Sequence, residues 1–384
     1  MTSIIPNGQR LLRALVTDGP TYRADLARTL DVTRATVTNL TQTLAAGGWV
    51  SELESEPHSL KALIGTTPSL GLWASVMYLV DTCTVVVAHL DGRVLNELTV
   101  STDPGLRASA RLREGQDLVA QLLTDEALPE SALRGIHLAV DTQMDATSGE
   151  IYAERASRRW YGVNPKTSFE ERFGVPVHVQ NTARLEGLAE YVWGVGRAND
   201  NMLYIEVSHG VTSGHIMGGV IASGARGGSG ELGHMVYDWN GPICTCGNPG
   251  CVMQYVSIPA LLRDHANTTG DQISWPQFVA LAHDGDAATT AISERAATIL
   301  GRAIVNVCHL IDPETVVLSG EVAGSLPGFI DRVAATVREG ALPLIGRNLR
   351  VLPARLDDKL LATARAGIES LRRRDDLITS VTAR

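Results

Sequence analysis

His234 and the cysteines Cys244, Cys246 and Cys251 crowd into one short segment, Glu-Leu-Gly-His-(x)9-Cys-Thr-Cys-Gly-Asn-Pro-Gly-Cys, running from Glu231 to Cys251. Three thiolates and one imidazole form a closed tetrahedral set for zinc, with no position left for a catalytic water. Gly247 and Gly250 let the backbone fold tightly enough for the three sulfurs to reach one ion. A disulfide and buried free thiols are the plain alternatives. Cys244 and Cys246 are too close in sequence to pair comfortably, and no secretion signal points to an oxidising compartment. The expectation is one structural Zn2+ per chain, held by His234, Cys244, Cys246 and Cys251. Cys83 and Cys308 sit in apolar surroundings and read as inert core residues.

A second group of side chains suits base-edge chemistry. Arg34, Thr36, Thr38, Asn39 and Gln42 fall between the apolar residues Val37, Leu40 and Leu44, which recur at helical spacing. Arginine suits guanine, asparagine or glutamine suits adenine, and a threonine methyl suits thymine. A solvated face in a small protein-binding domain is the bland reading of the same residues.

The elements that must position them follow. Gln9 to Val16 reads as an amphipathic helix, and a second helix starts at Thr21 or Tyr22 after the Gly19-Pro20 break. The chain turns at Asp31-Val32, Thr33 caps a third helix, and Gly47-Gly48 ends it. Two short helices joined by a tight turn make a helix-turn-helix whose second helix is the reader. Trp49 to Leu53 opens a wing carrying Glu52, Glu54, Glu56 and Lys61, whose acids repel phosphate while Lys61 attracts it. From about Leu70 the pattern turns to strands and crossover helices. The strands are Ala74–Val80, Thr84–Leu90, Gly135–Val140, Leu203–Ser208, His215–Ile221 and Thr315–Leu318; the helices are Arg107–Leu123 and Ala291–Leu310. This is an α/β protein.

Gly230-Glu231-Leu232-Gly233-His234 with the following Cys-x-Cys-Gly-x-x-Gly-Cys resembles the signature of the repressor–ORF–kinase (ROK) family of sugar kinases and sugar-responsive regulators. The run Arg23-Ala24-Asp25-Leu26-Ala27 to Val32-Thr33-Arg34-Ala35-Thr36-Val37 resembles winged helix-turn-helix domains fused to regulators of that family. The resemblance implies an N-terminal winged helix-turn-helix over 1–65 followed by a two-lobed actin-like fold. The first lobe covers 66–180, completed by the C-terminal helix, and the second covers 181–384 with the zinc segment 231–251.

It also supplies a test for kinase chemistry. Met77-Tyr78-Leu79-Val80-Asp81 stands where the kinases carry Asp-x-Gly-x-Thr, and the alternative Asp81-Thr82-Cys83-Thr84 also lacks the glycine. Asn181-Thr182-Ala183-Arg184 replaces Asn-Asp-Ala-Asn, and a threonine is no general base near neutral pH. Ser208-His209-Gly210-Val211-Thr212-Ser213-Gly214 replaces the phosphate loop, whereas Leu318-Ser319-Gly320-Glu321-Val322 is well preserved. Of the hexose contacts implied by the family, Asn181, Glu231 and His234 remain, while Ser157, Thr182 and Met253 replace others. Trp160, Tyr161, Arg158 and Arg159 lie near the expected cleft mouth, to hold a larger ligand or to build a lobe interface. Glu231 reads either as a sugar contact or as a helix-start acid with a structural partner.

At 384 residues the chain can bury two or three cores, and its net charge of −9 argues against a wholly polyanion-binding surface. The first fifty residues are locally basic, with Arg10, Arg13, Arg23, Arg28 and Arg34 against Asp18, Asp25 and Asp31. No run reaches membrane-span length and no basic, then apolar, leader opens the chain, so a cytoplasmic protein is expected. Together these features predict a DNA-binding transcriptional repressor acting as a homodimer or homotetramer on double-stranded operator DNA. A sugar or sugar-derived effector is expected on a degenerate site, without kinase activity. The rivals are a regulator with no small-molecule effector and an ATP-dependent sugar kinase.

Overall fold

The structure, a computed structural model, describes residues 6–53, 62–151, 160–197 and 199–382. The chain divides into two compact units, one formed by 1–182 with 363–384 and the other by 183–362. Among the described residues no helix is long and apolar enough to cross a membrane.

The first unit begins with helix α1 (Pro6–Asp18), where proline at the first turn removes a donor that would have no partner. Its Leu11, Leu12, Leu15 and Val16 are buried. Strand β1 (Thr21–Tyr22) precedes helix α2 (Arg23–Leu30), whose N-cap is Tyr22, so the helix starts where the sequence suggests. Thr21 and Tyr22 also pair with Ile64 and Leu63. Asp31 leaves α2 in the left-handed region at φ 53°. Helix α3 (Arg34–Ala46) follows, and the Thr33 side chain accepts from the Thr36 N–H at 3.1 Å, the expected cap. Strands β2 (Val50–Leu53) and β3 (Leu63–Thr66) complete a small sheet ordered β1-β3-β2. Three helices and a hairpin in this order are those of a winged helix-turn-helix.

Beyond it run β4 (Leu72–Tyr78), β5 (Thr82–His89), β6 (Val94–Ser101), α4 (Ala108–Asp125), β7 (Leu133–Val140), α5 (Pro165–Phe173) and β8 (Val177–Asn181). Their sheet is ordered β6-β5-β4-β7-β8, with the first three strands antiparallel and the last two parallel to β4. Val76, Val85, Leu138 and Phe169 form its core.

The chain enters the second unit along α6 (Thr182–Val192). The unit's sheet strands are β9 (Asn201–Val207), β10 (Val211–Met217), β11 (Val220–Ile221), β12 (Thr315–Ser319) and β13 (Arg350–Pro353). Between β11 and β12 come α7 (Met253–Val256), α8 (Ile258–Thr269), α9 (Trp275–His283) and α10 (Ala287–Ile311). Helices α11 (Glu321–Ser325), α12 (Phe329–Gly340) and α13 (Pro343–Gly346) separate β12 from β13. The sheet order β11-β10-β9-β12-β13 repeats the plan of the first unit, three antiparallel strands and then two parallel ones. The expected strand His215–Ile221 is broken by a turn at Gly218-Gly219, both at positive φ, and β10 begins four residues earlier. Residues 211–214 are therefore strand and not loop. Helices α10 and α12 run side by side; a Cβ at Gly301 would lie 2.6 Å from the Thr336 Cβ, so only glycine admits this approach.

Helices α14 (Lys359–Arg372) and α15 (Asp375–Thr382) close the chain, and from residue 363 onward it packs with the first unit. The second unit thus stops short of the C-terminus. Arg372 is almost fully buried and donates to the Val16 and Thr17 carbonyls at 2.8 and 3.2 Å, while pairing with Glu369. A Cβ at Gly92 would sit 2.4 Å from its guanidinium, which is therefore pressed against the β5–β6 turn. Arg13 of α1 pairs with Asp375 of α15.

One feature of this unit sets a pH dependence. Ser75, His137 and His178 are register partners across β4, β7 and β8. Burial, then the nearby His178 and Arg374, holds His137 down to about 3. The unfolded imidazole titrates near its ordinary value, so between these two values the unfolded chain binds more protons and stability rises with pH. We expect the urea midpoint to fall between pH 7 and pH 5, His137 contributing about 2 kcal/mol of that loss. His137→Gln should lessen the fall, and an unchanged slope would show that His137 is not the group responsible.

Candidate metal centre and nucleic-acid interface

The zinc segment is built on the end of a short 3-10 turn, Leu232–His234, and on two backbone bridges, Val236 to Cys251 and Ile243 to Pro249. Tyr237 N–H donates to Gly250 O at 2.8 Å, and Cys244 N–H to Asn248 O at 2.9 Å. Gly250 adopts φ 64°, and a Cβ there would lie 1.6 Å from the Asp238 carbonyl oxygen. The tight fold expected of this glycine is present.

These bends bring one donor atom from each of His234, Cys244, Cys246 and Cys251 to within 4.8 Å of every other. The Cys244 Sγ lies 3.6 Å from His234 Nδ1, and the Cys246 and Cys251 sulfurs are 3.5 Å apart. Atoms about 2.0–2.3 Å from a tetrahedral ion stand roughly 3.5–3.8 Å from one another. The spacing therefore fits zinc and lies far outside a sulfur–sulfur bond of about 2.05 Å. Burial raises the Cys251 thiol, and the adjoining Cys246 and Cys244 sulfurs add to this, up to about 12. Burial acts upward on Cys244 too, but hydrogen bonds from Cys246 and His234 outweigh it and bring that thiol down to about 6. Sulfurs this close require a cation among them before all three can be thiolates.

In the N-terminal helices, Val37, Leu40, Thr41 and Leu44 face the core. Arg34, Asn39 and Gln42 are exposed, whereas Thr36 and Thr38 are half-buried. Thr38 donates to the Arg34 carbonyl at 3.0 Å, and Thr36 shares its hydroxyl with Thr33 at 2.8 Å. Their methyls, rather than their hydroxyls, are what remains for a partner. The other basic residues of this region are engaged within the protein. Arg10 donates to Leu30 O at 2.9 Å, Arg13 pairs with Asp375, Arg23 with Glu52, and Arg28 with Asp25. Among the described residues the Arg34 guanidinium has no such partner. Glu52 differs from the sequence reading, because Arg23 neutralises it and it does not stand as a free repulsive acid. Lys61, Glu54 and Glu56 lie outside the described residues, as do Ser157, Arg158 and Arg159.

The sugar residues fall in different units. Asn181 ends β8 in the first, half-buried and paired in register with Val140. Glu231 and His234 belong to the second. The buried Arg184 guanidinium lies 3.6 Å from the Glu231 carboxylate and donates through Nε to Ser229 O at 2.9 Å. Glu231 thus has a structural partner, one that its own motif could not reveal. Trp160 belongs to the core rather than to a cleft mouth: it is buried, donates to Asp141 at 2.8 Å and meets Tyr78 edge-on at 5.3 Å. Tyr161 is exposed.

The segments compared with kinase loops are occupied by the protein's own groups. The β4–β5 turn holds Leu79, Val80 and Asp81, and the buried Arg111 donates to the Leu79 and Val80 carbonyls at 2.7 and 2.9 Å. Between β9 and β10, Ser208 and Thr212 donate to the Glu206 carboxylate at 2.9 and 3.2 Å, and the Glu321 N–H donates to Ser208 at 3.1 Å. Glu206 and Arg111 escape motif reading because each lies outside the signature it fills. The Thr182 hydroxyl is buried without a hydrogen-bond partner among the described residues.

Fold and site together define a two-unit α/β protein with an N-terminal helical domain and a Cys3His cluster. The chain belongs to the ROK family, whose description matches residues 80–363. It is 25% identical over 368 residues to the xylose repressor of Bacillus subtilis (strain 168), covering 94% of each chain. It is also 29% identical over 216 residues to the kanosamine kinase of Amycolatopsis mediterranei (strain S699), covering 54% of this chain and 70% of that one. The crystal structure of a ROK family transcriptional regulator, homolog of the E. coli MLC protein, superposes with a TM-score of 0.75 at 22% identity, covering 98% of both chains.

Proposed function

We propose that this protein is a DNA-binding transcriptional repressor with a zinc-stabilised body, working in the cytoplasm as a homodimer or homotetramer. The observation that carries the reading is the face of α3, where Arg34, Asn39 and Gln42 are exposed and the Arg34 guanidinium has no partner among the described residues. A long similarity to a named repressor, covering 94% of each chain, supports it. Residues 1–65 are the reading domain in this proposal, 66–180 with the C-terminal helices the first lobe, and the second lobe carries the zinc segment. Selection of genomic fragments by the purified protein tests it; failure to enrich any sequence over a random pool would overturn it.

We take the body to be catalytically inactive. The β4–β5 turn offers carbonyls to Arg111 rather than N–H groups to a phosphate, and the Glu206 carboxylate near the end of β9, bound by Ser208 and Thr212, repels one. Thr182 offers no general base. Phosphoryl transfer from ATP to hexoses or N-acetylhexosamines should be undetectable in a coupled assay, and Thr182→Asp alone should not restore it. Robust turnover by the wild type would refute this.

For an effector, Asn181, Glu231 and His234 remain the candidate sugar contacts. With His234 Nδ1 turned to Cys244, its Nε2 is the atom left for a ligand. A second reading, regulation without a small-molecule effector, is favoured by Arg184, which already engages Glu231. A thermal-shift panel of sugars separates the two, since only a bound ligand raises the melting temperature.

A further inference from the structure

The second unit contains a cavity of about 540 Å3 that none of these readings uses. One wall is the zinc segment itself: Met235, Val236 and Tyr237 follow directly on His234, and Val252 directly on Cys251. The other walls are α10 and α12, held at close range by Gly301. Thr298, Arg302 and Asn306 recur every fourth residue on α10, and Arg332, Thr336 and Gly340 do so on α12, so each helix presents one face.

Its charge is distinctive. Arg332 donates through Nε to the Thr298 hydroxyl at 3.0 Å, which fixes the guanidinium and leaves its two terminal nitrogens unused. Arg302 has no hydrogen-bond or ion-pair partner among the described residues, and neither arginine pairs with Glu339 at the cavity's edge. Two guanidiniums lining one cavity, neither of them paired with its carboxylate Glu339, suit a phosphate, which arginine binds in bidentate fashion. Glu339 and Asn306 can receive hydroxyl groups, while Tyr237 and Val252 offer an apolar surface. The size suits a small molecule rather than a macromolecule.

We propose that this cavity is a binding site for a small phosphomonoester bearing hydroxyl groups, separate from the sugar contacts at Asn181 and Glu231. The zinc segment forms its wall, so occupancy would stiffen the same loop that carries the metal ligands.

Isothermal titration of the full chain with glucose 6-phosphate, inorganic phosphate and glucose, at matched ionic strength, tests this without any DNA and so independently of the repressor reading. Saturable binding is expected for glucose 6-phosphate and weaker binding for phosphate. Arg302→Ala and Arg332→Ala should each weaken both about tenfold or more, and Arg302→Lys should retain part of the affinity. Both arginines are exposed, so these variants should fold like the wild type. Binding kept by both alanine variants, or matched by chloride, overturns the proposal. So does a loss of sedimentation mass in the variants without any ligand effect, which would give the surface to a second copy of the chain.

Discussion

Cys246→Ser should release the metal from the chain and lower its melting temperature sharply. Zinc held by a closed set of this kind contributes on the order of 10 kcal/mol of apparent binding energy in small domains, and that energy is folding energy. Here it would act on a segment with little secondary structure of its own, a 3-10 turn and two bridges. Without the ion, the Cys246 and Cys251 sulfurs at 3.5 Å and the positive-φ turn at Gly250 lose their common anchor. Metal analysis should find about one zinc in the wild type and none in the variant. Cys308→Ala is the control: that cysteine is buried in α10 and is not one of the four clustered ligands, so it should cost only a cavity and keep the metal. A metal-free wild type of full stability would remove zinc from the protein.

The second large effect is expected at the reading helix. Arg34→Ala and Asn39→Ala each remove a side chain capable of a bidentate base contact, typically worth about 1–3 kcal/mol of discrimination. The double variant should therefore lose most of its preference for the operator while keeping salt-dependent binding to any duplex. Both residues are exposed, so their loss should leave folding intact. The measurement is the ratio of operator to random-duplex affinity at fixed salt. An unchanged ratio would mean that another face enters the groove, and full binding by a chain starting at Leu70 would reject the reading domain itself.

Sequence reasoning worked best where local chemistry decides the outcome. Thr33 caps its helix because a hydroxyl there meets a free N–H, and His234 with the three cysteines converges because glycines permit it. It worked less well where a distant partner decides. Tyr22 caps its helix as expected, but its pairing and that of Thr21 with Leu63 and Ile64 depend on a strand some forty residues away. Trp160 and Glu231 each admit two readings until Asp141 and Tyr78 claim the first and Arg184 the second, and Glu52 looks free until Arg23 is placed beside it. The repeated sheet plan of the two units is likewise invisible in the residues, because strand order constrains burial pattern and not identity.

The clasp formed by Arg372 also bears on the order in which the protein is made. The N-terminal helices leave the ribosome early, yet the guanidinium that donates to the Val16 carbonyl is made 356 residues later. The whole second unit must be synthesised in between. A chain interrupted before α14 would carry a complete reading helix without this fastening. Such fragments would lack this tether, so synthesis through α14 is needed before the contact can form.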